Sequence, residues 1–101
     1  MDSSWEHICA TKLDEAGIKW ERDPKMHLIY HSASGRKRKY IPDFFLPEFD
    51  LYLEVKGFWT EAAKHKMVDV QKRNSVNILF VESMPQVLTI AKMVREWKDN
   101  C

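Results

Sequence analysis

The chain has no apolar run approaching the length of a membrane span, and its first residues, MDSSWEH, carry neither the basic nor the apolar region of a signal peptide. The expectation is a cytoplasmic protein with no membrane partner. Cysteine is scarce: Cys9 and Cys101 stand at opposite ends without metal-like spacing, which argues against a disulfide framework or a zinc knuckle. Both read as free thiols, Cys9 as a small buried hydrophobe on the apolar side of a helix. Excess charge of either sign is also missing. The formal net charge is +1, so overall charge does not point to a nucleic-acid partner, and only local clustering could. There is no internal repeat, low-complexity tract or long linker.

What remains is a sequence of 101 residues, 45% hydrophobic and 31% charged, a balance that excludes disordered, collagen-like and coiled-coil classes. That length holds one modest core and no second domain, so residues 1–101 are read as a single domain.

Periodicity orders the elements. SSWEHICATKLDEAG repeats Trp5, Ile8, Cys9, Leu13 and Ala16 at helical spacing, with Ser3 as N-cap and Gly17 as stop. IKWE reads as a short strand ended by Asp23-Pro24, MHLIYH as a second, and SASGRKR as the loop leading to the strand KYIPDFF. A turn at Pro47 to Asp50 closes the next hairpin. TEAAKHKMVDVQKRN is helical, with Thr60 as N-cap and Ala63, Met67, Val70 and Asn74 on one stripe. VNILFV reads as a strand buried on both faces. Ser83 then caps a last helix, PQVLTIAKMVREW, with Val87, Ile90, Ala91, Val94 and Trp97 facing inward. The predicted class is mixed α/β, a small central mixed β-sheet flanked by helices.

Within this pattern IPDFFLPEFDLYLEVKGFW is anomalous, because Asp43, Glu54 and Lys56 interrupt one of the best core-forming segments. If Leu46 faces Leu51 across the turn, then Phe44, Leu46, Leu51, Leu53 and Val55 share a core face. Asp43 then sits opposite Glu54 on the other face, beside Lys56. Directly opposed residues have β-carbons about 4.5 to 5.5 Å apart, and two carboxylates so placed repel unless a cation lies between them. Lys56 supplies part of that charge, and a divalent ion suited to oxygen ligands, magnesium or manganese, would supply more. The plainer alternative is an exposed Glu54–Lys56 pair on the wet face of an edge hairpin, with Asp43 ending a strand after Pro42. A slip of one residue would separate the two carboxylates.

Pro42-Asp43, then Glu54-Val55-Lys56, resembles the PD-(D/E)XK nuclease signature. KYIPDFFLPEFDLYLEVKGFW and the first helix are further similar to the phage endonuclease I family of Holliday junction resolvases, over about the first two-thirds of the chain. The resemblance implies a restriction-endonuclease-like core and a magnesium-dependent DNA endonuclease, with manganese as substitute, resolving branched DNA in recombination. It implies metal ligands at Asp43, Glu54, the Val55 carbonyl and Glu6, and a catalytic set of Glu6, Asp43, Glu54 and Lys56. Lys56 would hold or activate the attacking water. Glu6 has a structural alternative, since Ser3-x-x-Glu6 also reads as a capping box. On the same premise Arg36, Lys37, Arg38 and Lys39, with Lys64, His65 and Lys66, become phosphate contacts.

An intertwined homodimer in a host cytosol is implied too, with a monomer as the alternative. Two other functions stay open: a monomeric nicking or repair nuclease on single-stranded or mismatched DNA, and a non-catalytic DNA-binding module on the same fold. Of the remaining groups, His27 and His31 lie roughly 13 Å apart in a strand at about 3.3 Å per residue, too far to share an ion. Phe58 and Trp59 read as core, and Gly57 as a tight turn.

Overall fold

The computed structural model describes residues 3–22 and 27–100, the side chain of Ser3 excepted. The Ser3 cap, the Asp23-Pro24 stop and Cys101 therefore lie outside the described residues. The elements are α1 (Ser3–Glu15), β1 (Leu28–His31), β2 (Lys37–Tyr40), β3 (Phe44–Leu46), β4 (Leu51–Val55), α2 (Glu61–Asn74), β5 (Ile78–Val81), α3 (Met84–Leu88) and α4 (Ile90–Asp99). The class is mixed α/β, as expected.

β3, β4 and β5 form a three-stranded sheet with β4 in the middle, antiparallel to β3 and parallel to β5. The alternation of side chains divides two cores across it. On one face Phe44, Leu46, Leu51, Leu53, Val55 and Val81 pack with Cys9 and Leu13 of α1 and with Val87, Ile90 and Val94 of α3 and α4. On the other, Ile78 packs with Tyr40, Met67 and Val70, and half-buried Tyr52, Trp59 and Phe80 complete the cluster. β5 is thus covered on both faces, as its continuous apolar run predicts, although it lies at the sheet edge.

The assumed hairpin register holds: Leu46 faces Leu51, Phe45 faces Tyr52 and Phe44 faces Leu53. Helix punctuation holds as well. Thr60 Oγ1 accepts from the Ala63 amide at 3.0 Å, and Gly17 ends α1 at a φ of 71°, where a side chain would be strained.

Four expectations are corrected. IKWE forms no strand but one bridge, Glu21 to Phe45, with paired backbone hydrogen bonds of 2.8 and 2.9 Å. β3 is three residues long and turns only Phe45 toward that edge, because antiparallel hydrogen bonding alternates sides. KYIPDFF breaks into β2 and β3, since Pro42 has no amide hydrogen to continue a ladder. β2 instead pairs with β1 in a separate two-stranded sheet, which makes Lys37 and Arg38 strand rather than loop. Finally, the last helix is interrupted at Thr89, whose hydroxyl and amide both donate to the Pro85 carbonyl, at 2.8 and 3.1 Å.

Candidate active site

The end of β4 carries a buried carboxylate where an apolar side chain would be routine. Glu54 is 7% exposed, the one charged residue among those described that counts as buried. A buried charge needs partners. The Tyr40 hydroxyl donates to its Oε1 at 2.7 Å. Tyr40 comes from the last position of β2, so the small sheet is what brings this donor over the large one. Burial first, then the nearby Glu54 charge, raises the Tyr40 hydroxyl above the usual phenol range, which keeps it a proton donor.

Asp43 lies at the bend just before β3 and accepts from the Val55 amide through Oδ2 at 2.7 Å. That bond extends the hairpin by one rung after the backbone ladder has stopped. The amides of Tyr52 and Lys56 point to β5, at 3.0 Å from the Asn77 carbonyl and 2.8 Å from the Val81 carbonyl. Alternation therefore directs the Val55 amide and carbonyl to the Asp43 side. The expected carbonyl ligand thus lies on the same strand edge as the expected carboxylate.

Glu6 reaches the same point from the first turn of α1, its side chain 18% exposed. It shares a hydrogen bond with Asp43, and that bond, with burial and the Asp43 charge, pushes Glu6 up to about 7. Arg22, 3.8 Å away, opposes the rise from a more exposed position. Asp43 is raised chiefly by burial and further by Glu54, while the Glu6 and Val55 hydrogen bonds pull it down. Glu6, Asp43, Glu54 and Tyr40 thus stand in one row, each beside the next, and the raised Glu6, by holding a proton, offsets the repulsion among the carboxylates. The capping-box alternative for Glu6 loses ground here, because its carboxyl turns to Asp43 and Arg22.

Positive charge stands on one flank. Lys56 is half-buried, its Nζ 6.0 Å from the centre of the Trp59 ring. Lys66 lies over the Tyr40 ring at 4.7 Å and the Tyr30 ring at 5.5 Å. Burial lowers the Lys66 ammonium, and the facing Glu54 and Asp43 charges partly restore it. The other expected basic residues separate. Lys64 is exposed and pairs with Glu61 at 3.5 Å, and the His65 ring lies 3.3 Å from the His31 carbonyl. Arg36, Lys37, Arg38 and Lys39 are all exposed along the turn and strand β2. The register puts Arg38 on the face of Tyr30 and Tyr40, and Lys37 and Lys39 on the opposite face.

Tyr40 is a partner of the row that the sequence does not reveal, and Lys66, expected as a phosphate contact, lies further inward than its neighbours. Tyr40 could have been found only by knowing that β2 crosses over Glu54. Lys66, grouped with its neighbours as a surface cation, turns inward because helical spacing sets it next to the buried Met67. Phe58 corrects the opposite way: read as core, it is 77% exposed, because the chain after Gly57 leaves the sheet.

The donor set suits a hard divalent cation: three carboxyl groups and a carbonyl, all oxygen. The hydrogen bond to Asp43 and burial have raised Glu6, burial has raised Asp43, and repulsion between neighbouring carboxylates adds to both, an imbalance such an ion would relieve. Each carboxyl group is held by a hydrogen-bond partner as it stands. Among the described residues no three His, Cys, Asp or Glu side chains close around a single point. Asp43, Glu54 and the Val55 carbonyl are the groups that would hold the ion, with Glu6 joining on loss of its proton.

No family model matches the chain, and no curated protein or solved structure matches it. Among the described residues no helix is long and apolar enough to cross a membrane.

Proposed function

We propose that the chain is a divalent-metal-dependent DNA endonuclease that hydrolyses phosphodiester bonds at Asp43, Glu54 and Lys56, with Glu6 as the fourth member. The observation that carries this reading is the row of three carboxyl groups brought side by side from α1, the segment before β3, and β4, on the sheet face that also carries Lys56, at a site where burial and repulsion cost stability. A site built only for stability would place apolar groups there.

Magnesium or manganese, when bound, would supply Lewis-acid polarisation of a phosphoryl oxygen and a more acidic water. The residues do the rest. Asp43 is oriented by the Val55 amide and Glu54 by the Tyr40 hydroxyl, so both carboxylates would receive the ion already aimed. Lys56 offers an ammonium to the scissile phosphate or, after losing a proton, a base for the attacking water. Lys66 adds a second positive charge from the α2 side. Arg38, on the Tyr40 face of β2, would meet a phosphate backbone crossing Tyr40.

DNA as partner, branched or junction DNA as the preferred form, a homodimer and cytoplasmic residence all belong to this proposal. Incubating the protein with supercoiled, linear and four-way-junction DNA, with magnesium, manganese or chelator, tests it. Cleavage with the ions and none with chelator is expected. Equal cutting of linear duplex and junction would remove the junction preference, and a monomer mass independent of concentration would remove the dimer. DNA binding without cleavage under any ion would favour the non-catalytic module.

A further inference from the structure

On the sheet face that carries Glu54, a groove of roughly 300 Å³ opens between β5 and α2, lined by Trp59, Met67, Val68, Phe80, Lys64 and Glu82 among others. Its place relative to the candidate site is fixed by the sheet. Phe80 is the register partner of Glu54 in the parallel β4–β5 ladder, so the two side chains stand side by side, one strand spacing of about 4.8 Å apart. Trp59 forms the wall they share: Lys56 Nζ lies 6.0 Å from the ring, and the same residue lines the groove. Its indole N–H donates to Glu82 Oε2 at 2.6 Å, and the ring meets Phe80 edge-on, centroids 5.1 Å apart. The walls are therefore aromatic and held in place, while the rim carries an ammonium and a carboxylate.

We propose that this groove takes an unpaired nucleobase from the strand whose phosphate lies at Lys56. The inference deepens the endonuclease reading and rests on it. A base has two apolar faces and a polar edge, which matches aromatic and thioether walls below a charged rim. Lys64 at the rim is placed for the neighbouring phosphate. A paired base cannot enter, because stacking and pairing hold it in the duplex. The groove thus selects DNA with an unpaired nucleotide next to the cut, as at a fork, flap or branch, and disfavours continuous duplex.

The test uses an oligonucleotide with 2-aminopurine at an unpaired position beside a fork, in chelator so that no cutting occurs. Wild-type protein at saturating concentration should quench the fluorescence by stacking. Trp59 also supports Lys56 and Glu82, so replacing it could unsettle the fold. Val68 is 62% exposed on α2 and can be changed with less risk. Val68→Glu and Val68→Lys put a long polar side chain of either charge at the groove mouth. Both should remove most of the quench and weaken binding of the unpaired strand about tenfold, the loss of one stacked base. A wild type that does not quench overturns the proposal, and so does loss in Val68→Glu alone, which would be charge repulsion. Cleavage by the wild type without quench would sink the groove and leave the nuclease standing. Quench without cleavage under any ion would do the reverse.

Discussion

The hydroxyl of Tyr40 and the carboxylate of Glu54 meet at 2.7 Å across two different sheets. This contact ties the β1–β2 hairpin to the central strand through the most buried charge among the described residues. Tyr40→Phe keeps the ring under Lys66 and deletes only the donor. Leaving a buried acceptor unsatisfied costs roughly 1 to 3 kcal/mol. Urea unfolding should show that loss with an unchanged m value. A difference under about half a kcal/mol, within the range of an ordinary surface change, would mean that water replaces the hydroxyl at no cost.

Glu6 makes stability depend on pH in an unusual sense for a carboxylate. Its folded value, about 7, lies above the ordinary 4.5, so between those limits the native state holds a proton that the unfolded chain has released. Stability is therefore highest below the lower limit and falls as pH rises toward the upper one. Solvent reaching Glu6 screens the effect to roughly 1 kcal/mol. Melts from pH 4.5 to 8 should show the decline, and Glu6→Gln should flatten it. A parallel slope in the variant would assign the titration to another group.

Protons and a divalent ion compete for the same carboxyl groups, so ion binding should be linked to pH. Magnesium or manganese should raise the melting temperature at pH 8 by a few degrees and have little effect at pH 5.5. Asp43→Asn should abolish the rise. An equal shift at both values, or one that survives Asp43→Asn, would place the ion elsewhere.

Gly57 stands at the bend where the chain leaves β4, as expected, and it also permits a close approach. A β-carbon built there would lie 3.1 and 3.2 Å from Cζ3 and Cη2 of Trp5, the residue before Glu6. Gly57→Ala should push α1 outward, lowering stability by about 1 kcal/mol and metal-dependent activity more than stability alone explains. Wild-type activity in a folded Gly57→Ala protein would show that α1 need not be held so closely.

How much of this was legible in the sequence follows the range of the interactions. The turn at Pro47 to Asp50 fixed the hairpin register, and the register alone placed Asp43 and Glu54 on one face and Leu46, Leu51, Leu53 and Val55 on the other. Helix stripes such as Cys9 with Leu13, and Met67 with Val70, were equally readable because their spacing is local. The break at Pro42 was underread, since the apolar residues around it suit a strand even where the missing amide forbids one. The Tyr40–Glu54 bond and the inward turn of Lys66 depend on how two sheets stack, which no local pattern encodes. Phe58 was misread for a related reason: hydrophobicity marks what can be buried, and the path of the chain after Gly57 decides what is.

The central claim is that Glu54 and Lys56 take part in phosphodiester hydrolysis. Single-turnover cleavage of a forked DNA in magnesium, with wild type, Glu54→Ala and Lys56→Ala compared at saturating protein, tests it most directly. Each variant should lose at least about a hundredfold in rate, the scale of a lost acid–base or charge-stabilising group, while still binding DNA in chelator. No cleavage by the wild type in any divalent ion, or wild-type rates in both variants, would contradict the account.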